Sequence, residues 1–171
     1  VQEVATPPEF VEAAARLVCG TVAWDLAANA SNAKAPRWLG PGGEHPDALA
    51  VRWHRLARAH DEWLWLNPPY GEISAWAAKC AAESWLGAPI LLLVPAAVST
   101  EWFNDYVFGK AEVYALRPRV TFVGHRHGYP KDLMLCVYRP GAIPRKSFDT
   151  WNWKYKAPEG LAGWLPKEGA A

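Results

Sequence analysis

The sequence predicts an α/β fold: a mostly parallel sheet with helices on both faces and an antiparallel hairpin at one edge. Three observations carry that prediction. Two short, continuously apolar runs, Trp63-Leu64-Trp65-Leu66 and Ile90-Leu91-Leu92-Leu93-Val94, read as strands buried on both faces. Between them lies a segment whose apolar residues recur at helical spacing, and strand-helix-strand alternation is the mark of a parallel sheet. Further on, Val120 to Val123 and Leu133 to Tyr138 flank a polar loop and read as an antiparallel pair.

The elements follow in order. Thr6-Pro7-Pro8-Glu9 reads as a helix start, with Thr6 as cap, Pro7 in the first turn and Glu9 completing a capping box. That helix runs to about Val18 and buries Phe10, Ala14, Leu17 and Val18. Thr21-Val22-Ala23-Trp24 is a short strand with Asp25 at its carboxyl end, followed by small residues from Leu26 to Asn32. Ala35 to Asp47 is dense in Gly and Pro and reads as a loop. Ala48 to His60 reads as a helix, with Leu49, Trp53, Leu56 and Ala57 on one face. Arg52, Arg55 and Arg58 lie on another, which is a solvated face or a phosphate contact. His54 and His60 read as surface residues. After the Glu62 to Leu66 strand, Ile73, Trp76, Ala77, Cys80, Ala81, Ser84 and Trp85 form a helical face that Gly87 ends. Pro95 stops the next strand, Ser99 is the expected cap of a helix holding Trp102, Phe103, Tyr106 and Val107, and Val113 to Leu116 is a third strand. The tail Trp151-Asn152-Trp153-Lys154-Tyr155-Lys156 alternates aromatic and polar residues, as a base-stacking surface or a strand pinned on the core does.

Length and composition bound the answer. A chain of 171 residues, 51% hydrophobic, is most simply one domain with an ample core. No apolar run reaches membrane-spanning length. Val1 to Phe10 is polar and proline-rich, so no signal peptide is expected. Cys19, Cys80 and Cys136 are widely separated, which points to reduced, buried thiols in the cytoplasm and away from a metal site. Charge is uneven: residues 1–114 hold 8 Lys and Arg against 13 Asp and Glu, a net of −5, while residues 115–171 hold 10 against 4, a net of +6. A basic C-terminal third suits phosphate contact or is a solvated tail.

The stretch Asn67-Pro68-Pro69-Tyr70-Gly71 carries the chemistry. It sits in a stiff loop at the carboxyl end of a strand, where open α/β sheets bind ligands. It offers an amide, prolines that cannot donate to a ladder, and one aromatic ring. Such groups suit a flat molecule bearing an exocyclic amine.

Asn67 to Tyr70 resembles the catalytic motif of S-adenosylmethionine-dependent amino-group methyltransferases. The wider pattern resembles the phage-type DNA N6-adenine methyltransferases: Thr6-Pro7, Asp25-Leu26-Ala27-Ala28, Asn32-Ala33-Lys34, Trp53, Asn67 to Gly71, Leu93-Val94-Pro95 and Arg119-Val120-Thr121-Phe122, in that order. Several spaced motifs in order outweigh any single one. The resemblance covers roughly residues 4 to 138. It implies a Rossmann-like methyltransferase domain with a core of about 4–140 and a basic aromatic extension, 141–171. It implies S-adenosylmethionine as cofactor, held by Thr6, Pro7, Asp25, Ala27, Ala28, Asn32 and Asn67; a helix N-cap is the competing role for Asp25. Asp47 and Asp61 are the candidates for the acid that holds the cofactor ribose. Catalysis falls to Asn67, Pro68, Pro69 and Tyr70. DNA is the implied partner, with Tyr70, Arg119, His125, Arg126, His127, Lys131, Lys154 and Lys156 as contacts, and the loop from Gly124 to Asp132 as the first candidate. The location implied is the cytoplasm, that of the bacterial host for a phage-encoded chain. The alternatives are a methyltransferase for cytosine N4, RNA or protein glutamine, and a non-catalytic DNA-binding module of the same fold.

Overall fold

The computed structural model describes residues 5–141 and 147–155. One seven-stranded sheet organises them. Its strands are β1 (Thr21–Asp25), β2 (Arg37–Trp38), β3 (Glu62–Leu66), β4 (Ile90–Pro95), β5 (Glu112–Arg117), β6 (Leu133–Tyr138) and β7 (Phe148–Asn152), in the order β2-β1-β3-β4-β6-β5-β7. Only β6 runs antiparallel to its neighbours, β4 and β5; the other pairings are parallel. Three helices, α1 (Pro8–Leu17), α2 (Ile73–Trp85) and α3 (Glu101–Tyr106), cover the two faces.

The period-2 side-chain alternation of β3 and β4 divides the core. Trp63, Trp65, Leu91 and Leu93 face Phe10, Val11 and Ala14 of α1. Leu64, Leu66, Ile90, Leu92 and Val94 face Trp76, Ala77 and Cys80 of α2 and Phe103 of α3. This two-sided demand explains why the central strands are continuously apolar. The fold is a Rossmann-like α/β arrangement, a mostly parallel sheet with helices on both faces, as expected.

Several local expectations need correction. Thr6 does not cap α1; Pro7 occupies that position without a side-chain bond, and Thr6 is used elsewhere. Leu17 is only partly buried, while Val11 and Ala13 are buried instead. Ala48 to His60 is not a helix but two single 3-10 turns, Ala48–Ala50 and Trp53–Arg55, separated by extended Val51. Its apolar residues are nonetheless the ones packed inward. His54 is not a surface residue: its Nδ1 lies 2.6 Å from the buried Glu83 carboxylate, which also accepts from Lys79 Nζ at 2.6 Å. Burial opposes ionisation of Glu83, but the Lys79 and His54 hydrogen bonds prevail and hold its carboxyl below the usual range.

The loop from Ala35 to Asp47 contains β2, two residues that extend the sheet beyond β1. Trp85 does not belong to the buried face of α2; it is 67% exposed. Thr100, not Ser99, precedes α3. Cys19 is exposed, whereas Cys80 and Cys136 are buried. Val120 to Val123 is not a strand. Val120 and Phe122 are buried, but their segment bonds through Val123 N–H to Ala5 and through the Val120 carbonyl to Tyr129 N–H. The antiparallel pair is therefore β5 with β6, and β7 lies outside it. Trp151 and Trp153 of the aromatic tail pack against Phe10, with ring centroids 5.8 and 5.1 Å away. No helix among the described residues is long and apolar enough to cross a membrane.

Candidate active site

The chain leaves β1 for β2 on one side, then returns to form β3 on the other side of β1. The crevice above the carboxyl ends of β1 and β3 is thus the topological switch point, where open parallel sheets bind ligands. A cleft of about 700 Å³ lies there. Asp25, the last residue of β1, and Asn67, the first after β3, both line it.

Two prolines shape the elbow after β3. Neither has an N–H to extend the ladder, so the strand stops at Leu66. Pro68 is buried and Pro69 exposed. Tyr70–Glu72 forms a 3-10 turn that leads straight into α2. Asn67 Nδ2 donates to Thr6 Oγ1 at 3.2 Å, and Thr6 is only 2% exposed. That bond ties the elbow to the segment that leads into α1. Tyr70 meets Tyr129 edge to face at 5.9 Å, and Tyr129 meets Phe122 likewise at 5.3 Å. The Tyr70 hydroxyl is buried with no hydrogen-bond partner among the described residues. Burial pushes its pKa well above the phenol range.

Asp25 anchors the opposite wall. Its Oδ1 accepts from Ala27 N–H at 3.2 Å and its Oδ2 from Lys34 N–H at 2.9 Å. The carboxylate thereby folds residues 26–34 into a tight loop. Asn32 helps by accepting the Asn29 N–H at 2.8 Å. The side chain of Asp25 is 4% exposed, and burial pushes its pKa up to about 6, against the lowering pull of the Lys34 and Ala27 amides and the Lys34 charge. The loop is clasped from outside by Ala28 N–H to the Leu39 carbonyl, at 3.0 Å. Gly40 then passes so close that a Cβ there lies 2.1 Å from the Ala28 carbonyl oxygen, at a φ of +127°. Only glycine satisfies both conditions.

Of the residues expected to bind cofactor, Thr6, Asp25, Ala27, Ala28, Asn32 and Asn67 line this one cleft, and so do Pro68, Pro69 and Tyr70. Pro7 does not; it is buried behind Thr6, where its carbonyl starts α1. Asp47 lines the cleft, but Asp61 sits at the opposite end of the sheet, where its carbonyl accepts from Thr21 at the start of β1. Sequence reading missed Lys34, Gly40, Trp65, Trp76 and Tyr129 as lining residues. The Gly40-Pro41-Gly42-Gly43 run was the one signal for a close backbone approach.

The candidate DNA contacts divide. His125, Arg126, His127 and Lys131 are exposed on the segment whose Tyr129 lines the cleft. Arg119 is engaged at the base of that segment, 3.0 Å from Asp132 and bonded to the Pro130 carbonyl. Lys154 is exposed, with its Nζ 5.1 Å from the Trp153 ring centroid, and does not line the cleft. Lys156 lies outside the described residues.

A switch-point cleft thus joins an amide-bearing proline elbow, an aromatic corner and a buried acid. A model of the family described as DNA N-6-adenine-methyltransferase (Dam) matches residues 3–161. No curated protein and no solved structure matches the chain. Because the family match spans all but the ends of the sequence and includes every element of the cleft, the chain belongs to the DNA N-6-adenine-methyltransferase family.

Proposed function

We propose that this cleft binds S-adenosylmethionine and methylates the N6 amine of an adenine turned out of the DNA stack. One observation carries the reading: Asn67 and Pro68 of the elbow and the buried Asp25 line one cleft, with the Asn67 amide bonded to Thr6. The residues present fit the cofactor. Asp25 is an acid held in a nearly dry wall, the setting in which a partner ammonium is worth most. Asp47, which lines the cleft, is the remaining candidate for the acid that holds the ribose. The Tyr70 hydroxyl and the Trp76 indole nitrogen are buried with no protein partner among the described residues.

S-adenosylmethionine, when bound, supplies an electrophilic methyl group on a sulfonium. The remaining work belongs to the chain. The N6 amine is a poor nucleophile because its lone pair is delocalised into the ring. The Asn67 side-chain carbonyl and the Pro68 backbone carbonyl accept the two amino protons, which draws the nitrogen toward tetrahedral geometry and concentrates the lone pair. Neutral Asn67 is no strong base, so once methylation has made the nitrogen a positively charged, acidic ammonium, one of its protons leaves to water and the neutral methylamine remains. Tyr70 stacks on the extruded ring, and Tyr129 walls the same pocket. Extrusion costs a few kcal/mol, which these contacts offset. Fixed orientation of the reacting groups contributes roughly 7–11 kcal/mol in favourable cases. His125, Arg126, His127 and Lys131, on the segment that carries Tyr129, grip phosphate beside the extruded base.

The test is methyl transfer from labelled cofactor to DNA, RNA and protein in parallel, followed by digestion and identification of the modified base. N6-methyladenine in DNA is the expected product. Asn67→Ala retains the fold and most cofactor affinity but loses transfer by at least about a hundredfold, the scale of a removed transition-state acceptor. Full turnover in that variant removes the mechanism.

A further inference from the structure

The strands that run parallel to β3 all end at the edge of the sheet that holds the cleft, so the last residues of β5 and β7 lie on that edge too. A series of hydrogen bonds ties this part of the edge into one ridge. Ala96 N–H, just past β4, donates to the Asp132 carbonyl at 2.9 Å. Arg119 holds the Asp132 carboxylate at 3.0 Å and donates to the Pro130 carbonyl at 3.3 Å. Trp153 N–H donates to the Arg117 carbonyl at 3.1 Å, and its indole N–H to the Pro118 carbonyl at 2.7 Å. The ridge thus runs from β4 to β7, and its Tyr129 lines the cleft.

The ridge, residues 117–132 and 152–155, carries five Lys and Arg against one acid, Asp132, which is already paired with Arg119. Arg117 and Lys154 stand at its far end. Both are exposed, and neither joins an ion pair among the described residues. The pairing of Arg117 with Asn152 and the Trp153 bonds fix the two backbones beside each other. The Lys154 ammonium lies 5.1 Å from the Trp153 ring centroid. The other flank of the cleft has the opposite sign. Residues 25–47 hold three acids against two cations, and one of those cations, Arg37, is paired with Glu44 at 2.6 Å. A polyanion that crosses the cleft is therefore drawn toward β7 rather than toward β2.

We propose that Arg117 and Lys154 form a second phosphate clamp, so that duplex DNA lies along the ridge on one side of the cleft and reaches β7. This rests on the methyltransferase reading and extends the contact made by His125, Arg126, His127 and Lys131. Four strand spacings of about 4.8 Å separate β3 from β7, roughly 19 Å in all, and β5 is one spacing nearer. Phosphates repeat about every 3.4 Å along each DNA strand. The clamp therefore meets the duplex about 4 to 6 base pairs from the extruded base, on one side only.

The probe is a G·C duplex whose single adenine faces an abasic site, which fixes where the base leaves the stack. Either flank is trimmed from about 12 to about 3 base pairs, below the reach of the clamp. Binding to the full chain is measured by fluorescence anisotropy with S-adenosylhomocysteine present. Trimming one flank weakens the wild-type chain about tenfold at low salt, the worth of two exposed charge contacts, and trimming the other leaves its affinity near the parent. Arg117→Gln combined with Lys154→Gln keeps the side-chain stems and removes both charges. That chain binds the untrimmed duplex about as weakly as the wild type binds the trimmed one, and its log-log salt slope is smaller in magnitude by about 2. S-adenosylhomocysteine without DNA binds both chains equally. An equal response of the wild type to the two trims overturns the clamp, as does an unaltered salt slope in the double variant. Binding of S-adenosylhomocysteine with no binding of any duplex overturns the clamp and the DNA substrate together. Failure to bind S-adenosylhomocysteine overturns the methyltransferase reading itself, and the clamp that rests on it.

Discussion

Under the proposed reading, in which Asp25 meets the cofactor ammonium, cofactor affinity depends on pH, and the direction follows from the surroundings of Asp25. Burial lifts its carboxyl from 3.8 to about 6. That gap corresponds to about 3 kcal/mol between the two protonation states. The folded pKa lies above the unfolded one, so the folded chain holds more protons between pH about 4 and 6. Stability of the ligand-free protein therefore falls as pH rises through that window, and the full deficit persists above it. A ligand ammonium beside the carboxylate reverses the preference, because it interacts only with the ionised form. At pH 5 about one Asp25 in eleven is ionised, and at pH 7 about ten in eleven. S-adenosylhomocysteine, which keeps the amino acid end of the cofactor, should therefore bind about tenfold more tightly at pH 7 than at pH 5. Titration calorimetry at pH 5, 6 and 7 measures this, and buffers of different ionisation enthalpy count the proton released on binding at pH 5. Asp25→Asn keeps one acceptor oxygen but turns an NH₂ toward the Ala27 or Lys34 amide, so its affinity is lower throughout and flat with pH. A flat profile in the wild-type chain, or the same slope in Asp25→Asn, refutes the reasoning.

Two further predictions address the cleft wall and the basic segment. Gly40→Ala places a methyl 2.1 Å from the Ala28 carbonyl oxygen at a φ hostile to side chains; chemical denaturation should show a loss of about 2 kcal/mol or more, and cofactor affinity should fall with it. Replacing Arg126 and Lys131 by Ala should weaken DNA binding equally across sequences and reduce the magnitude of the log-log salt slope by about 2, while binding of S-adenosylhomocysteine without DNA stays unchanged; an unaltered slope removes these residues from the phosphate contact.

The central strands and the proline elbow were legible in the sequence because each is overdetermined. Trp63 to Leu66 must satisfy two cores at once, and prolines allow few backbone conformations. The misread elements fail for one shared reason: apolar periodicity reports burial, not backbone geometry. Leu49, Trp53, Leu56 and Ala57 are spaced like a helix face and all pack inward, yet Asp47 caps a single turn through Leu49 N–H and Val51 is extended. Val120 and Phe122 alternate like a strand and are buried like one, but the sheet has β5, not this segment, beside β6. At the site, Asn67 and Asp25 were visible from motif and strand-end position. Tyr129 and Trp76 were not, because only tertiary packing brings them to the cleft, some 59 residues beyond Tyr70 in one case. Thr6 was placed at the site by the resemblance and does line the cleft, but its expected role as helix cap fails, since its hydroxyl meets Asn67 rather than the helix start.

The clasp between α1 and the last strand has a consequence in time. Phe10 is seated against Trp151 and Trp153, and Thr6, four residues before Phe10, is bonded to the Asn67 amide. Contacts spanning about 140 residues form late, after the closure entropy of the intervening chain has been met. On the ribosome, the elbow and its strands emerge well before the aromatic pair that seats α1. A nascent chain is therefore an incomplete catalyst, and competence arrives as a single late event when Trp151 and Trp153 dock.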